Sequence, residues 1–201
     1  MLDRRSLMRG GAGVAFGAIA LATVAAGEDP ALAGTRLQEL MGDPAQTGEE
    51  LPWPSGLTRQ EHRHLKTFDE LDFVVYSGQQ WDRLHESHAE NIRVHYADGR
   101  FTDGIDQHIA DLKGQFVWAP DTRISKHPIR IAKGTLTAVT GVVAGTFSQP
   151  MPDGQGGTIA PTGRRFAVNM VTVGIWNRRG VMSEEFLFMD SGTFTRQIGL
   201  G

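Results

Sequence analysis

The stretch VTVGIWNRRGVMSEEFLFMDSGTFTRQIGLG, residues 171–201, decides the fold of this chain. Its first part is apolar and rich in β-branched residues up to Trp176, and residues 177–180 (NRRG) have the composition of a tight turn. Residues 181–190 then alternate with the period of two that is typical of a strand. We therefore predict two strands joined by a tight turn, followed by a short closing segment.

The alternation distributes the acids of the second strand over both of its faces. One face carries Glu184, Phe186, Phe188 and Asp190, and the other carries Val181, Ser183, Glu185, Leu187 and Met189. A carboxyl group held among large apolar side chains loses hydration, which raises its pKa and makes it a usable general acid or base. The alternative is that these acids lie at strand ends and face water.

Length and composition indicate one globular domain with an N-terminal extension. The chain has 201 residues, of which 40% are apolar and 21% are charged, and its formal net charge is −3. This balance supplies neither the basic patch that nucleic-acid binding requires nor a polybasic membrane anchor. Because the chain has no cysteine, disulfides, thiolate catalysis and cysteine-ligated metal centres are excluded.

The first 33 residues have the pattern of an export signal. Residues 4–9 (RRSLMR) carry a twin-arginine pair, residues 11–26 are weakly apolar, and residues 31–33 (ALA) fit a small-x-small cleavage site. The alternative is a transmembrane anchor, but the apolar run of about 16 residues is shorter than the roughly 20 that a spanning helix needs. We expect residues 1–33 to be a cleaved twin-arginine (Tat) signal peptide. The mature protein is then exported already folded, periplasmic or secreted, without a membrane anchor.

Along the rest of the chain, helices are predicted first and strands later. Residues 34–57 lack periodicity and contain two prolines near their end, so they are predicted to form an extended arm. Thr58 and Glu61 have the spacing of a capping box at the start of the first helix. Helices are predicted over 58–77, 79–88 and 103–116, and strands over 91–96, 122–132, 135–147, 164–176 and 181–190. This order favours an α+β domain over 58–201, with a strongly curved sheet wrapped on a helical layer.

Short motifs spread from Phe68 to Leu200 resemble one known family. They are Trp81 with LHESHAEN at 84–91, VHYADG at 94–99, GIDQHI at 104–109, FVWAPDT at 116–122, GTF at 145–147, PTG at 161–163, EEFLFMD at 184–190 and QIGL at 197–200. In this order they resemble the SnoaL-like polyketide cyclases, also called ester cyclases, of the nuclear transport factor 2-like superfamily.

The resemblance implies a fold and a chemistry. The fold is a cone, in which a curved mixed β-sheet and about three N-terminal helices enclose a deep pocket, and such proteins commonly form homodimers through the outer face of the sheet. The chemistry is ring closure by intramolecular aldol condensation, without metal or cofactor. Asp190 inherits the role of general acid/base, and Glu185 is the next candidate. Both acids can reach one cavity only if a bulge interrupts the strand between them.

The same resemblance implies a set of pocket residues. His95 is expected to be a pocket donor or proton shuttle that assists Asp190 and Glu185. Residue type and position add the residues expected to line the substrate site, which are Trp81, His85, His88, His108, Trp118, Asn169 and Phe188. The alternatives are that both tryptophans are core residues, that His85 is partly exposed, and that Asn169 bonds the backbone at a bulge. Where relatives often carry a histidine just before the tryptophan that matches Trp176, this chain has Ile175, so its pocket is expected to be more apolar there.

The other histidines give weaker signals. His85 and His88 are three residues apart on a predicted helix and His95 follows, and imidazoles at such spacing can ligate zinc or iron. No HExxH or similar motif accompanies them, so no metal is expected. His62, His64 and His127 are interpreted as surface residues.

Two functions from different classes follow. The first is an exported, cofactor-free cyclase, isomerase or lyase that binds a small apolar carbonyl compound and transfers protons through a carboxylate. The second is a non-catalytic module that uses the same cone to contain a small hydrophobic ligand. A buried Asp190 with a raised pKa favours the enzyme, and an exposed one favours the container. A metal-dependent enzyme that uses the histidines is a third hypothesis.

Overall fold

The computed structural model describes residues 50–201, so the predicted signal peptide and residues 34–49 of the predicted arm lie outside the described part. Its α-helices are α1 (Arg59–Glu70), α2 (Ile105–Trp118) and α3 (Ser191–Gln197), with a π-helical turn at Leu71–Tyr76 and a 3₁₀-helix at Trp81–Glu86. Its strands are β1 (His88–Tyr96), β2 (Phe101–Asp103), β3 (Arg123–Ile124), β4 (Arg130–Lys133), β5 (Leu136–Thr146), β6 (Met151–Pro152), β7 (Thr158–Ile159), β8 (Arg165–Trp176) and β9 (Met182–Met189).

Helix α1 begins at the predicted capping box. The backbone N–H of Glu61 donates to Thr58 Oγ1 at 3.2 Å, and the backbone N–H of Thr58 donates to Glu61 Oε2 at 2.8 Å. Leu65 and Phe68 on its inner face are fully buried. The helix then widens into the π-helical turn, so the predicted helix 58–77 is confirmed with a change of pitch at Leu71.

The sheet is mixed, and its first long strand lies beside its last. The strand order is β2-β1-β9-β8-β5-β3, with β4 also paired to β5. Every pairing is antiparallel except that of β1 with β9, which is parallel. The α+β class and the curved mixed sheet are therefore as predicted.

Several local predictions differ from the structure. The helix predicted over 79–88 is the 3₁₀-helix Trp81–Glu86, and His88 belongs to β1. The strand predicted over 122–132 is two short strands, β3 and β4, separated by a segment that contains Pro128, which has no N–H to donate to a ladder. The loop before β8 contains a separate two-stranded ribbon of β6 and β7. The closing segment after β9, for which no type of element was predicted, is helix α3.

The hairpin of β8 and β9 contains a bulge that shifts the predicted alternation. Glu184 pairs with Ile175, but the next pair is Met182 with Trp176, so Ser183 is the extra residue. Met182 is fully buried. The alternation predicted from Glu184 onward is present, whereas before the bulge Met182 takes the inward position that was predicted for Ser183.

Helices cover one face of the sheet, here called the inner face. Apolar side chains of α1 and the π-helical turn pack there against β1, β5 and β8, forming one of two core clusters. The opposite, outer face keeps large apolar side chains exposed, among them Ile131, Leu136, Val171 and Phe188. Within residues 50–201, no helix is long and apolar enough to cross a bilayer.

Candidate active site

Three titratable side chains from three elements meet under the inner face. Glu185 projects from β9, His88 lies at the start of β1, and His108 lies in the first turns of α2. Glu185 Oε2 is 3.4 Å from His88 Nε2 and 3.3 Å from His108 Nε2. The three residues are 4%, 2% and 2% exposed. We call this group the His-Glu-His cluster.

The pairing of β1 with β9 brings the cluster together. It places Glu185 of β9 beside Val94 of β1. His88, six residues before Val94, pairs with Met182, three residues before Glu185. On the other side of Glu185 the partner is Gly174, where a Cβ would lie only 2.5 Å from Met182 Sδ. A side chain at that position would displace the core next to the carboxylate.

The hydroxyl group of Ser87 fixes the orientation of His88. Ser87 Oγ donates to the carbonyl oxygen of Leu84 at 3.1 Å, so its lone pair accepts from His88 Nδ1–H at 2.8 Å. When His88 is neutral, its proton therefore lies on Nδ1 and a lone pair on Nε2 faces Glu185. When Nε2 is also protonated, the imidazolium donates to Glu185.

Burial and neighbouring charges set the protonation of the other two groups. Burial lowers the pKa of His108 to about 4, although Glu185 opposes this shift. Burial raises the pKa of Glu185, but the hydrogen bond with His88 and the electrostatic interactions with His88 and His108 outweigh burial and hold that pKa below its usual value. At neutral pH the cluster therefore combines a buried carboxylate with a neutral His108.

Asp190 does not reach the cluster. Strand β9 ends at Met189, and Asp190 becomes the exposed N-cap of α3, where it accepts from Thr193 N–H at 2.9 Å and from the Thr193 hydroxyl at 2.6 Å. These bonds from Thr193 hold the pKa of Asp190 below its usual value. The expectation of a pocket acid at this position is therefore not met, because the chain turns into a helix there and no bulge redirects the side chain.

His95 lies on the outer face. Its ring stacks on Phe186 with centroids 4.2 Å apart, and its Nε2 is 3.0 Å from Glu184 Oε2. The strand period of two separates it from Glu185, since His95 pairs with Phe186 and not with the buried acid. The structure therefore does not bring His95 to the buried acid that it was expected to assist.

Of the remaining predicted pocket residues, the two tryptophans are packed in the core and the others are exposed to solvent. Trp81 packs against Tyr76 and Phe116 in the core, and Trp118 is fully buried. The exposed residues among them are His85, which is bonded to the carbonyl oxygen of Asp82, and Asn169 and Phe188.

Ile175 also lies away from the cluster. It pairs with Glu184 on one side and Leu136 on the other, which places it on the outer face of the sheet. The predicted apolar change at this position therefore does not alter the surroundings of Glu185.

A second polar cluster surrounds His127, which sequence reasoning assigned to the surface. His127 is fully buried; its Nδ1 is 2.7 Å from Asp69 Oδ1, and its Nε2 is 2.7 Å from Asp72 Oδ2. Burial lowers its pKa, but the two carboxylates outweigh burial and raise it to about 9. Arg130 and Glu50 complete this group. The signal that sequence reasoning missed is Asp72, an acid between apolar residues of a helical segment.

His64 was also assigned to the surface, and that interpretation was wrong. It is 2% exposed and stacks on Trp176 with ring centroids 4.5 Å apart and an interplanar angle of 7°. The exposed His62 agrees with the prediction. The periodicity of α1 places His64 on the same side as Leu65 and Phe68, which explains its burial.

Several buried polar atoms have no partner among residues 50–201. They are His64 Nδ1, His108 Nδ1, Trp118 Nε1 and Thr172 Oγ1. Thr172 lies two residues before Gly174 on the inner side of β8, close to the cluster along the strand. Since buried polar groups are normally hydrogen-bonded, these atoms are available to a ligand or to water.

Comparisons with known proteins agree with this architecture. A family model described as SnoaL-like polyketide cyclase matches residues 32–198. Among solved structures, a candidate SnoaL-like polyketide cyclase from Jannaschia sp. CCS1 has a TM-score of 0.64 at 19% identity, over 74% of this chain and 99% of that chain. IdmH from Streptomyces antibioticus, a candidate polyketide cyclase, has a TM-score of 0.58 at 21% identity, over 69% and 99%.

A third solved structure is described by its fold alone. It is a nuclear transport factor 2-like protein of unknown function from Burkholderia pseudomallei K96243, with a TM-score of 0.54 at 15% identity, over 71% of this chain and 99% of that chain. At these identities the likenesses show the fold. Among curated proteins, no sequence matches this chain.

Proposed function

Because this chain belongs to the SnoaL-like polyketide cyclase family, we propose that it is an exported enzyme that binds a small, largely apolar carbonyl compound and moves protons without a cofactor. Glu185 is the general acid/base in this proposal, and His88 and His108 assist it. The observation that carries the proposal is the buried carboxylate flanked by two imidazole Nε2 atoms at 3.4 Å and 3.3 Å.

The chemistry needs one mobile proton. The carboxylate of Glu185 removes a proton from the carbon next to a carbonyl group, and the proton is then shared with His88 Nε2, whose ring is held by Ser87. The neutral ring of His108 donates to the enolate oxygen. In ring closure the enolate carbon attacks a second carbonyl group of the same molecule, and the stored proton returns to the new alkoxide. In isomerisation the proton returns to a different carbon.

The side chains on the inner side support an apolar ligand with polar ends. Partly buried apolar residues pack around one core cluster, among them Trp81, Leu112, Met170 and Met189. Trp118 Nε1 and Thr172 Oγ1 are buried without a partner and are available to hydrogen-bond carbonyl oxygens. Ligand sites typically combine such an apolar lining with a few polar groups that fix orientation.

Export and self-association complete the proposal. Export by the Tat route to the periplasm or beyond is supported by the twin-arginine pattern in residues 4–9. A homodimer is supported by the apolar side chains that remain exposed on the outer face.

A second candidate function, a non-catalytic ligand-binding module of the same fold, is favoured by two observations. Asp190 is exposed and its pKa lies below the usual value, so it is not the pocket acid that the family resemblance implied. The pKa of Glu185 is also held down, and a carboxylate with a lower pKa is a weaker base.

A ligand screen with three proteins separates the two candidates. The full chain, Glu185→Gln and Asp190→Asn are screened by thermal shift against ketones, lactones and esters, and each hit is followed for conversion. A compound that stabilises all three proteins, and is converted by wild type and Asp190→Asn only, supports the enzyme. Equal binding without conversion by any of them supports the container.

A further inference from the structure

We propose that His88, His108 and Glu185 form a binding site for one divalent transition-metal ion of the zinc class. The inference rests on the geometry of the His-Glu-His cluster and not on the proposed reaction. A bound ion would occupy the same side chains as the cofactor-free chemistry, so the metal-bound and metal-free proteins are distinct states.

The spacing of the three ligand atoms suits a metal better than direct hydrogen bonds. The distances from Glu185 Oε2 to the two Nε2 atoms, 3.4 Å and 3.3 Å, exceed the roughly 2.7–2.9 Å of a charge-assisted bond. A tetrahedral ion with bonds of about 2.0–2.1 Å places neighbouring ligand atoms about 3.3–3.4 Å apart. Each residue of the cluster offers a ligand atom within 4.8 Å of those of the other two.

The orientation of His88 also fits metal ligation. Histidine ligands usually donate their second ring N–H to a fixed acceptor, which selects the tautomer and aims the lone pair at the metal. Ser87 Oγ is such an acceptor, since its own proton is directed to the carbonyl oxygen of Leu84. A lone pair of neutral His88 then faces a carboxylate oxygen, an arrangement that a cation between the two atoms stabilises.

The chemical types of the three ligand atoms, and their burial, indicate which ion would bind. Two imidazoles and one carboxylate are the protein ligands of many zinc sites that keep a fourth position open for water or substrate. All three residues are at least nine-tenths buried, which suits a small ion. An all-oxygen ligand set would be expected for calcium or magnesium, and this cluster has two nitrogen ligands.

Direct metal titration tests the inference. The full chain is treated with a chelator, and Zn²⁺ binding is measured by competition with a chromophoric chelator. Binding of one ion per chain with a dissociation constant of about 1 μM or tighter is expected. Co²⁺ is expected to give the intense visible bands of a tetrahedral site. A dissociation constant weaker than about 100 μM, or a stoichiometry other than one, overturns the inference.

Three variants locate the ion. Glu185→Gln is expected to lose at least about tenfold in affinity, and Ser87→Ala, which changes no ligand, to lose about 10–100-fold. The matched control is His64→Asn, because His64 is equally buried but lies outside the cluster; it is expected to bind Zn²⁺ like wild type. Circular dichroism checks that each variant is folded. Should a cluster variant fail to fold, ¹⁵N NMR of wild-type imidazoles with and without Zn²⁺ decides, since only the His88 and His108 signals are expected to shift.

The result is independent of the proposed reaction. A protein that binds Zn²⁺ in this way but converts no carbonyl compound contradicts the enzyme proposal and leaves the metal site in place. A protein that is active after chelation and binds no Zn²⁺ contradicts the metal site and leaves the enzyme proposal in place.

Discussion

Glu184 and Glu185 are adjacent in β9 but lie on opposite faces of the sheet. Glu184 bonds His95 on the outer face at 3.0 Å, whereas Glu185 meets His88 and His108 under the helices. Side-chain exposure is 43% for Glu184 and 5% for Glu185. Two acids that are neighbours in the sequence therefore have different surroundings. A variant of one can serve as the control for the same substitution in the other.

The first prediction compares these two acids. Glu185→Gln is expected to reduce conversion of any substrate found in the ligand screen by at least about 100-fold, because it removes the general base. Glu184→Gln is expected to retain wild-type turnover, because its partner His95 is on the outer face. Steady-state kinetics on both variants measures this. Equal losses in the two variants would contradict the assignment of Glu185.

The second prediction concerns alkaline pH and His127. The pKa of His127 in the folded protein is raised to about 9 from the ordinary histidine value of 6.5. Its contribution to stability is therefore fully present below pH 6.5 and is lost as the pH rises through about 9. Asp69, Asp72, Arg130 and Glu50 are the charged groups around it. NMR titration of its ring and urea unfolding between pH 6 and 10 are the measurements.

Asp69→Asn tests the same cluster. It breaks the ion pair between the buried His127 and the partly buried Asp69, together with the bonds that Arg130 donates to Asp69. The change is expected to cost about 3 kcal/mol in the free energy of unfolding at pH 6 and to lower the pKa of His127. A variant whose stability still falls as steeply as wild type above pH 6.5 would show that another group causes the pH dependence.

The third prediction concerns the capping box of α1. Thr58→Ala removes the hydroxyl acceptor of the Glu61 N–H and is expected to lower the free energy of unfolding by about 1 kcal/mol. Thr58→Ser keeps the acceptor and is expected to be close to wild type. Chemical denaturation of the three proteins checks this, and no difference between Ala and Ser would mean that the cap contributes nothing.

The fourth prediction concerns self-association. Phe188→Glu places a charge on the outer face, where Phe188 is 46% exposed, and is expected to convert the proposed homodimer to a monomer. Val117→Glu is the matched control, because Val117 is 55% exposed but lies on α2. Light scattering after size-exclusion chromatography measures the mass. A wild-type monomer would contradict the proposed dimer.

Local patterns along the sequence predicted much of the fold. The turn at 177–180 and the alternation after Glu184 gave the final hairpin, and the Thr58 capping box gave the start of α1. The family resemblance is confirmed by the match over residues 32–198. These features depend on short-range chemistry, which a sequence displays directly.

The roles of individual site residues were harder to predict. His88, His108 and Glu185 were all among the candidates, but their meeting depends on the parallel pairing of distant strands. Asp190 was predicted to be the last residue of the strand, but the strand ends at Met189 and Asp190 caps helix α3. His127 was misplaced because its partners, Asp69 and Asp72, are far away in the sequence. Tertiary contacts, which periodicity does not encode, decide these cases.

The parallel pairing of β1 with β9 also determines when the cluster can exist during synthesis. His88 and Glu185 are 97 positions apart. When both histidines of a nascent chain have emerged from the ribosome, the carboxylate of Glu185 has therefore not yet been added. Closing so long a loop carries an entropic cost that is offset only after the last strand has docked. Truncated chains would carry the imidazoles without the buried site, and any ligand of the complete cluster would distinguish finished molecules from unfinished ones.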